Sequence, residues 1–281
     1  MTGRIYLVVK GGLGNQLYQA AFGIVLQKLT GKPIYYLTDS FQNYSYGHQF
    51  LLDKYFPNVD GQVSNLASVP AGAIAVHEPT TQFDPSIVLS QIIEIIKNHQ
   101  IVVLDGYWNR GEYLQGHEDE IRSGLNLELG SEELRAQGNV LNSQSYVGIH
   151  VRRAEYGHHG IAAMDYYRNS LKQIRREKGN IPAVIFTDEY NVCAYEFKTI
   201  PGVTVLKGDT KVPLNDFYLL SRCRHFILSN STFSYWAAFL GETENSIVYY
   251  PYPMCVFAPW EALPETLANR WRVIDGAVRK P

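Results

Sequence analysis

Several features are scarce or missing in this 281-residue sequence, and each absence excludes a class of protein. The three cysteines, Cys193, Cys223 and Cys255, have no CxxC spacing, so they predict buried free thiols and not a disulfide framework or a zinc site. There is no apolar run long enough to span a membrane, and residues 1–12 lack the features of a secretory signal. We therefore expect a cytoplasmic protein without a transmembrane segment.

Charge is nearly balanced, which makes nucleic acid an improbable partner. The chain has 25 Lys and Arg against 27 Asp and Glu, for a net charge of −2. A protein that binds nucleic acid usually shows a strong basic excess. No DxD, HExxH or GxSxG sequence is present, and the adjacent pair His158 and His159 is poorly spaced for chelation, so we expect no metal.

The order of predicted elements indicates an α/β protein with two similar halves. Segments typical of buried strands alternate with segments of helical periodicity in residues 1–140 and again in residues 141–281, which favours two Rossmann-like domains with parallel sheets. The polar stretch Gly138–Ser145 is the expected linker. We predict irregular structure over residues 39–90, helices over Glu118–Gln137 and Met164–Lys178, and a terminal helix that includes residues 258–274.

In the second half, three successive strands end in polar residues. His150 and Arg152 share one face at the end of the first, Asp188 ends the next, and Asn230 to Thr232 follow a later strand at the start of a helix. Ligands of open parallel sheets bind at the carboxyl ends of the strands. An arginine and a helix start suit phosphates, and an aspartate suits the N–H edge of guanine. Together these groups predict a guanosine diphosphate site.

Each of these residues also has an ordinary structural explanation. Arg152 could pair with Glu155, and His150 could be a buried histidine of the core. Asp188 and Ser231 could simply cap helices. Their joint placement at strand ends favours the binding site.

The glycine-rich segment Lys10–Gly23 follows the first predicted strand and opens a helix. Gly12 and Gly14 partly match the dinucleotide fingerprint, but Leu17 occupies the third glycine position and no acidic residue follows at the spacing that a ribose requires. We expect this loop to approach a phosphate or sugar closely, with Asn15 and Gln16 as donors at the helix start.

Three segments together resemble the bacterial α-1,2-fucosyltransferases of glycosyltransferase family 11. They are GGLGNQLYQAAFG near the start, VGIHVRRAEY in the middle and NDFYLLSRCRHFILSNSTFSYWAAFLG near the end. The resemblance implies a GT-B-like fold whose two domains face each other across a cleft, with the acceptor on the side of residues 1–140. It implies the donor GDP-β-L-fucose in residues 141–281, no cofactor, and transfer to the 2-hydroxyl of a terminal β-galactoside with inversion, in the synthesis of a cell-surface polysaccharide or O-antigen.

The resemblance also implies roles for individual residues. Arg152 would bind the β-phosphate, and His150 and Asp188 would recognise guanine. The phosphate and the base would be lined by Ser231, Thr232 and Phe233, and the loop with Gly12, Gly14, Asn15 and Gln16 would lie over the diphosphate and fucose. The family pattern HxRRGDY is altered at Ala154 and Glu155, which puts the carboxylate one methylene further out.

Arg152, Asn15 and Glu155 are the residues we expect to act in catalysis. Asp165 and the histidines His158 and His159 are further candidates for a base, and an oxocarbenium-like transition state would need only weak basic help. Two alternatives stay open: a nucleotide-sugar or glycan-binding protein without activity, and an NAD(P)-dependent oxidoreductase. The natural acceptor, the oligomeric state and peripheral contact with a lipid-linked glycan are left open by the sequence.

Overall fold

The chain forms two α/β units, each with its own parallel sheet. The computed structural model describes residues 3–42, 48–80, 83–129, 131–153, 159–208, 212–253 and 264–279. Unit 1 comprises residues 1–128 and 262–266, and unit 2 comprises residues 129–261 and 267–281. No helix in the described ranges has both the length and the apolar character that a membrane span requires.

Unit 1 alternates strands with helices along most of its length. Its strands are β1 (Arg4–Val8), β2 (Ile34–Leu37), β3 (Gln62–Ser64), β4 (Ile74–His77) and β5 (Ile101–Asp105), and its helices are α1 (Leu13–Thr30), α2 (Leu52–Tyr55), α3 (Pro85–Asn98) and α4 (Glu118–Gly124). The strands pair in parallel in the order β3-β2-β1-β5-β4. The chain starts at the central strand β1, proceeds to β2 and β3 on one side, and then places β4 and β5 on the other side. The strand order therefore reverses between the neighbours β1 and β5.

Unit 2 repeats this plan with a larger sheet. Its strands are β6 (Val147–Val151), β7 (Ile161–Ala162), β8 (Ala183–Thr187), β9 (Val203–Lys207), β10 (His225–Ile227), β11 (Val248–Pro251), β12 (Arg272–Ile274) and β13 (Val278–Arg279). Its helices are α5 (Glu132–Ser143), α6 (Met164–Lys178), α7 (Tyr190–Phe197), α8 (Pro213–Ser221) and α9 (Thr232–Gly241), and α10 (Glu265–Ala268) begins in unit 1 and ends in unit 2. Six strands pair in parallel in the order β12-β11-β10-β6-β8-β9, whereas β7 and β13 form a separate antiparallel pair.

Hydrophobic burial explains the centre of each sheet. Every residue of β6 and β8 is buried, as expected for parallel strands covered by helices on both faces. Helix α6 packs its apolar side, including Tyr167, Leu171 and Ile174, into the same core. The strands that carry the strand-end polar residues are therefore fixed from both sides.

Four structural expectations from the sequence are wrong. The predicted linker Gly138–Ser145 lies mostly within α5, and the units divide at residues 128 and 129 instead of 140 and 141. Gly138 is a close packing position, because a Cβ there would lie 2.9 Å from the Tyr218 ring of α8. The predicted helix over Glu118–Gln137 is two helices, α4 and α5.

The other two errors concern strands at the edges of the sheets. Strands β3 and β4 lie in the region expected to be irregular, and their largely exposed residues lack the apolar pattern of a buried strand. Residues 272–274, expected to be helical, form the edge strand β12. Cys193 and Cys223 are free and buried as predicted, while Cys255 falls outside the described residues.

Gly241, at the end of α9, allows a close approach to α8. A Cβ at Gly241 would lie 2.0 Å from the carbonyl oxygen of Ser221, which is backbone and cannot move aside cheaply. We expect Gly241→Ala to lower the free energy of unfolding by about 3 kcal/mol, because overpacking forces a backbone shift. Urea unfolding measures the loss.

Gly124→Ala is the matched control. Gly124 also ends a helix, but its added Cβ would meet only the Ile24 side chain, and the nearest atom is its flexible end, Cδ1, at 2.6 Å. The expected loss is below about 1 kcal/mol because this side chain can rotate away. Equal losses in the two variants would contradict the close α8–α9 contact.

Candidate active site

The polar groups of unit 2 meet where its strand order reverses. Strand β6 lies between β10 and β8, and the chain proceeds from β6 first towards β8 and β9, then returns to β10 and β11. Open parallel sheets bind ligands at such a reversal, outside the carboxyl ends of the strands. His150 and Arg152 are at that end of β6, and residues 229–232 follow β10.

Asp188 pairs with Arg152 across the ends of β6 and β8. Arg152 Nε lies 3.1 Å from Asp188 Oδ2, and the backbone N–H of Arg153 donates to Oδ1 at 3.0 Å. The Asp188 side chain is only 8% exposed, whereas that of Arg152 is 36% exposed. The carboxylate therefore holds the guanidinium in place while part of the arginine stays accessible.

This pairing bears on two expectations for the site. Asp188 was predicted to recognise guanine, and each of its oxygens has a contact with the chain, so this role stays a prediction. Arg152 was given Glu155 as an ordinary partner, and the structure shows that Asp188 pairs with it. Glu155 falls outside the described residues, as do Ala154 and His158.

His150 is buried and neutral. Its Nδ1 is hydrogen-bonded to Ser229 Oγ at 2.7 Å, and its ring stacks on Phe233 with centroids 5.2 Å apart. Burial, with a smaller contribution from the Arg152 charge, lowers the pKa of His150 to about 3. The imidazole therefore supports the β6–β10 junction and the Phe233 ring instead of titrating near neutral pH.

The start of α9 is shaped for an anion. Ser231 occupies the N-cap position in an extended conformation, and its side chain makes no capping hydrogen bond. No acidic residue is present in the first turn. Ser231 is buried, whereas Thr232 and Phe233 are partly exposed. Of the three residues predicted to line the phosphate and the base, Thr232 and Phe233 are therefore the ones that can touch a ligand.

Two buried residues outside the predicted set, Ser229 and Tyr166, support this site. The Tyr166 hydroxyl lies 3.0 Å from the carbonyl oxygen of Leu228 and 2.9 Å from that of Tyr249. Its one proton is shared between these two acceptors, which ties the residue after β10 to β11. Ser229 could have been found, since it lies beside the predicted Asn230 at a strand end. Tyr166 could not, because one tyrosine among 20 in a helix has no distinguishing signal.

The glycine loop of unit 1 differs in detail from its predicted form. Helix α1 begins at Leu13, so Gly14 and Asn15 belong to its first turn, and Gly12 is the N-cap. Gly11, with φ of +84°, is the residue that requires glycine. A Cβ at Gly11 would lie 2.7 Å from Asn15 Nδ2, so the half-buried Asn15 side chain folds back over its own loop.

Gln16 has a structural role, in contrast to the predicted donor at the helix start. It is fully buried, and its Nε2 donates to the carbonyl oxygens of Gly11 and Gln49. Its Oε1 accepts the N–H of Leu51 at 3.0 Å. Because the amide bonds to the chain on both sides, it fixes the loop and is not presented to a ligand.

Asp165, another candidate for a base, is engaged in an ion pair. Asp165, at the start of α6, is 78% exposed and pairs with Arg168 at 2.7 Å. Among the described residues, no three His, Cys, Asp or Glu side chains are grouped so that they could hold a metal ion. The described geometry therefore contains an accessible cation and an uncapped helix start, which are groups that bind phosphates.

Comparison with known proteins decides the family. The model of glycosyl transferase family 11 matches residues 90–254, more than half of the chain. The chain belongs to glycosyl transferase family 11. The match includes Arg152, Asp188 and the start of α9, so the strand-end groups of unit 2 belong to the part that the family shares.

Relatives of this family 11 protein extend over nearly its whole length. An α-1,2-colitosyltransferase of Escherichia coli is 25% identical and aligns over 86% of this chain and 89% of its own. The O-antigen biosynthesis glycosyltransferase WbnK of Escherichia coli is 24% identical, over 88% and 93%. The predicted relationship to the bacterial members of the family is confirmed.

Solved structures confirm the predicted GT-B-like α/β fold. Fucosyltransferase NodZ from Bradyrhizobium superposes with a TM-score of 0.57 at 16% identity, covering 92% of this chain and 97% of NodZ. A structure of NodZ α-1,6-fucosyltransferase soaked with GDP-fucose gives a TM-score of 0.55. At this level of identity, the likeness describes the fold.

The buried His150 predicts a pH dependence of stability. Its pKa is about 3 in the folded protein, below the ordinary value of 6.5, so the unfolded chain binds the proton more tightly. The contribution of neutral His150 is present above about pH 6.5 and is lost as the pH falls towards about 3. Within that pH range, the one additional proton bound by the unfolded chain lowers the free energy of unfolding by about 1.4 kcal/mol for each pH unit of acidification.

His150→Asn should flatten this dependence, as measured by urea unfolding between about pH 7 and pH 4.5. His225, with a pKa lowered to about 4 by burial, leaves a remaining slope in the variant. His99→Asn, at an exposed position, is the control and should leave the slope unchanged. An unaltered slope in His150→Asn would show that His150 does not control acid stability.

Proposed function

We propose that this family 11 glycosyltransferase moves L-fucose from GDP-β-L-fucose to the 2-hydroxyl of a terminal β-galactoside. The observation that supports this most directly is the accessible, Asp188-oriented Arg152 at the strand-order reversal of unit 2, close in the fold to the uncapped start of α9. Both groups suit the diphosphate of a nucleotide sugar. The names of the relatives favour an α-1,2 linkage and an O-antigen glycan as product.

The chemical step follows from the configuration of the donor. The acceptor 2-hydroxyl attacks the anomeric carbon of fucose from the face opposite GDP, the bond from that carbon to the β-phosphate oxygen breaks, and β becomes α. The hydroxyl proton passes to solvent or to a weak base, and negative charge develops on the departing diphosphate. Arg152 and the N–H groups at the start of α9 would stabilise this charge.

The buried residues have supporting roles in this proposal. Asp188 orients Arg152, and His150 with Ser229 holds the Phe233 ring, which would lie against the base. Asn15, in the first turn of α1 after the N-cap Gly12, stays the residue of unit 1 for which we propose a catalytic role. Glu155 stays a candidate for weak basic help, from its position after Arg153 in the sequence.

The GDP derivative of colitose is a second candidate donor, because one relative is a colitosyltransferase. Colitose is a 3,6-dideoxy sugar and so differs from fucose by one hydroxyl. A site that bonds the 3-hydroxyl of fucose would reject colitose strongly, whereas an apolar pocket at that point would accept both. Competition between GDP-fucose and the GDP derivative of colitose, with lactose as acceptor, distinguishes the donors. The oxidoreductase alternative does not agree with membership of a glycosyltransferase family.

Arg152→Ala tests the proposed donor site. We expect turnover with GDP-fucose and lactose to fall about 10²- to 10³-fold, as for loss of one donor to a developing negative charge. The measurement is release of GDP together with detection of the fucosylated product by NMR. Circular dichroism must show a folded protein, because Asp188 loses its partner.

Arg168→Ala is the matched control. Arg168 lies in the same unit, is similarly exposed at 34%, and also pairs with carboxylates, those of Asp165 and Glu196. It follows Tyr166 in α6 and is not part of the proposed site, so turnover should stay near that of the wild type. Near-normal transfer by folded Arg152→Ala would refute the role of Arg152, and GDP-fucose binding without transfer in the wild type would favour a binding protein.

We further propose that transfer needs no metal ion, since Arg152 and the helix start supply the stabilising charge. Transfer should proceed at the same rate in EDTA as in buffer with Mg²⁺ or Mn²⁺. The rate of GDP release measures this. A rate that falls in EDTA and recovers with added Mn²⁺ would contradict the proposal.

A further inference from the structure

The turn that follows β5 has an unusual conformation. It consists of Asp105, Gly106, Tyr107 and Trp108. Trp108 has φ of +52°, a value that bulky residues rarely adopt, and its ring is fully buried and stacked on Phe22 at 4.6 Å. Such strained residues persist only where the surroundings determine them strongly, and they concentrate at functional sites.

Glu78 holds this turn from the end of β4. One carboxylate oxygen, Oε2, accepts the N–H of Tyr107 at 2.8 Å and that of Trp108 at 2.9 Å. Gly106 is required for the approach, since a Cβ there would lie 2.5 Å from Glu78 Cβ. Burial raises the pKa of Glu78.

Gln19 of α1 links the same turn to the end of β1. The buried amide donates from Nε2 to the Gly106 carbonyl oxygen at 3.2 Å and accepts the N–H of Lys10 at Oε1 at 3.0 Å. The turn is therefore bonded to Glu78, which follows β4, and to Gln19 of α1, which also bonds Lys10 after β1. Its exposed side chains are held in place in advance of any ligand.

The side chains that this turn presents form an open, charge-balanced group. The Tyr107 ring is 39% exposed, and Lys10 Nζ lies 5.1 Å from its centre. Lys10 Nζ also bonds Asp105 Oδ1 at 2.6 Å, and both side chains are about one-third exposed, at 27% and 33%. His77 Nδ1 lies 3.4 Å from Asp105 Oδ2.

This group lies where the strand order of unit 1 reverses. Lys10 follows β1 and Asp105 ends β5, and these two neighbouring strands separate β2 and β3 on one side from β4 on the other. The carboxyl ends of strands at such a reversal form the ligand crevice of an open parallel sheet. The group thus lies at the end of the unit 1 sheet where ligands of open parallel sheets bind.

The chemistry of the group suits a neutral sugar better than a phosphate. The carboxylate accepts hydrogen bonds from hydroxyls, and the ammonium donates to them. An exposed tyrosine offers a rigid apolar face with a polar edge, which matches the C–H face of a galactose ring. Lys10 and Asp105 are about equally exposed, so a ligand meets both charges, whereas in unit 2 the aspartate is buried and the arginine is the exposed partner.

We propose that Tyr107, Asp105 and Lys10 form an acceptor-sugar platform in unit 1, with Tyr107 stacked on the C–H face of a β-galactoside and Asp105 and Lys10 bonded to its hydroxyls. This inference rests on the proposed function, because it assigns the acceptor of that reaction to these residues.

Lactose binding to Tyr107→Ala tests the platform without requiring turnover. Saturation-transfer NMR on the full chain should show lactose bound to the wild type, with a dissociation constant about tenfold higher or more in Tyr107→Ala, the typical effect of losing an aromatic contact. Tyr107→Phe keeps the ring and should retain most of the binding. Asp105→Asn should weaken lactose binding, since an amide is a poorer acceptor than a carboxylate.

Tyr195→Ala is the matched control for Tyr107→Ala. Tyr195 is also exposed, at 67%, and also has a lysine over its ring, with Lys198 Nζ 3.9 Å from the centroid. It should leave lactose binding unchanged. Equal lactose affinity in Tyr107→Ala and the wild type, or no lactose signal from the wild type, would overturn the platform.

GDP binding and fucose transfer distinguish this failure from failure of the proposed function. All four variants should bind GDP as the wild type does, because they leave unit 2's donor site intact. If the wild type transfers fucose while Tyr107→Ala keeps a normal KM for lactose, the platform is wrong and the function stands. If lactose binds through Tyr107 but no fucose is transferred, the platform stands and the function is wrong.

Discussion

Strand β6 is hydrogen-bonded in parallel to a neighbour on each side, and this constraint determines the site of unit 2. Its register with β8 and β10 fixes the end of the strand where His150 and Arg152 stand. The Asp188 carboxylate can then reach Arg152 from β8, while Ser229 reaches His150 from the side of β10. One backbone arrangement thus brings together groups that are about 80 residues apart in sequence.

The two units use the same architecture with different charge. Each sheet reverses its strand order between two neighbouring strands. In unit 1 a helix whose N-cap makes no side-chain hydrogen bond, α1, follows the first strand. In unit 2 the corresponding helix is α9, which starts near the reversal. In unit 2 the accessible group is a cation oriented by a buried carboxylate. In unit 1 the lysine and the aspartate are similarly exposed and neutralise each other. The aspartate is buried in unit 2 and exposed in unit 1. This difference is the physical basis for assigning a phosphate to unit 2 and a neutral sugar to unit 1.

Elements with a strong apolar pattern were predictable. Helix α6 has the predicted bounds Met164–Lys178, and the buried strands β6 and β8 lie where their apolar runs indicated. The short exposed strands β3 and β4 were missed because sheet edges need no apolar alternation. Gly138 was interpreted as a linker residue, but it lies in a helix, where glycine permits close packing against Tyr218. The local sequence does not show this reason for a glycine, because Tyr218 is distant in the chain.

The sequence by itself determined the class of fold, the family and the chemical types gathered at the strand ends, because hydrophobic periodicity and residue type are local properties. Only the tertiary structure decided which partner each polar group takes. Asp188 bonds Arg152, Gln16 bonds its own loop, and Glu78 holds the turn that exposes Tyr107. These choices depend on distances between segments far apart in the chain, and a buried polar group bonds whichever partner the packing brings within reach.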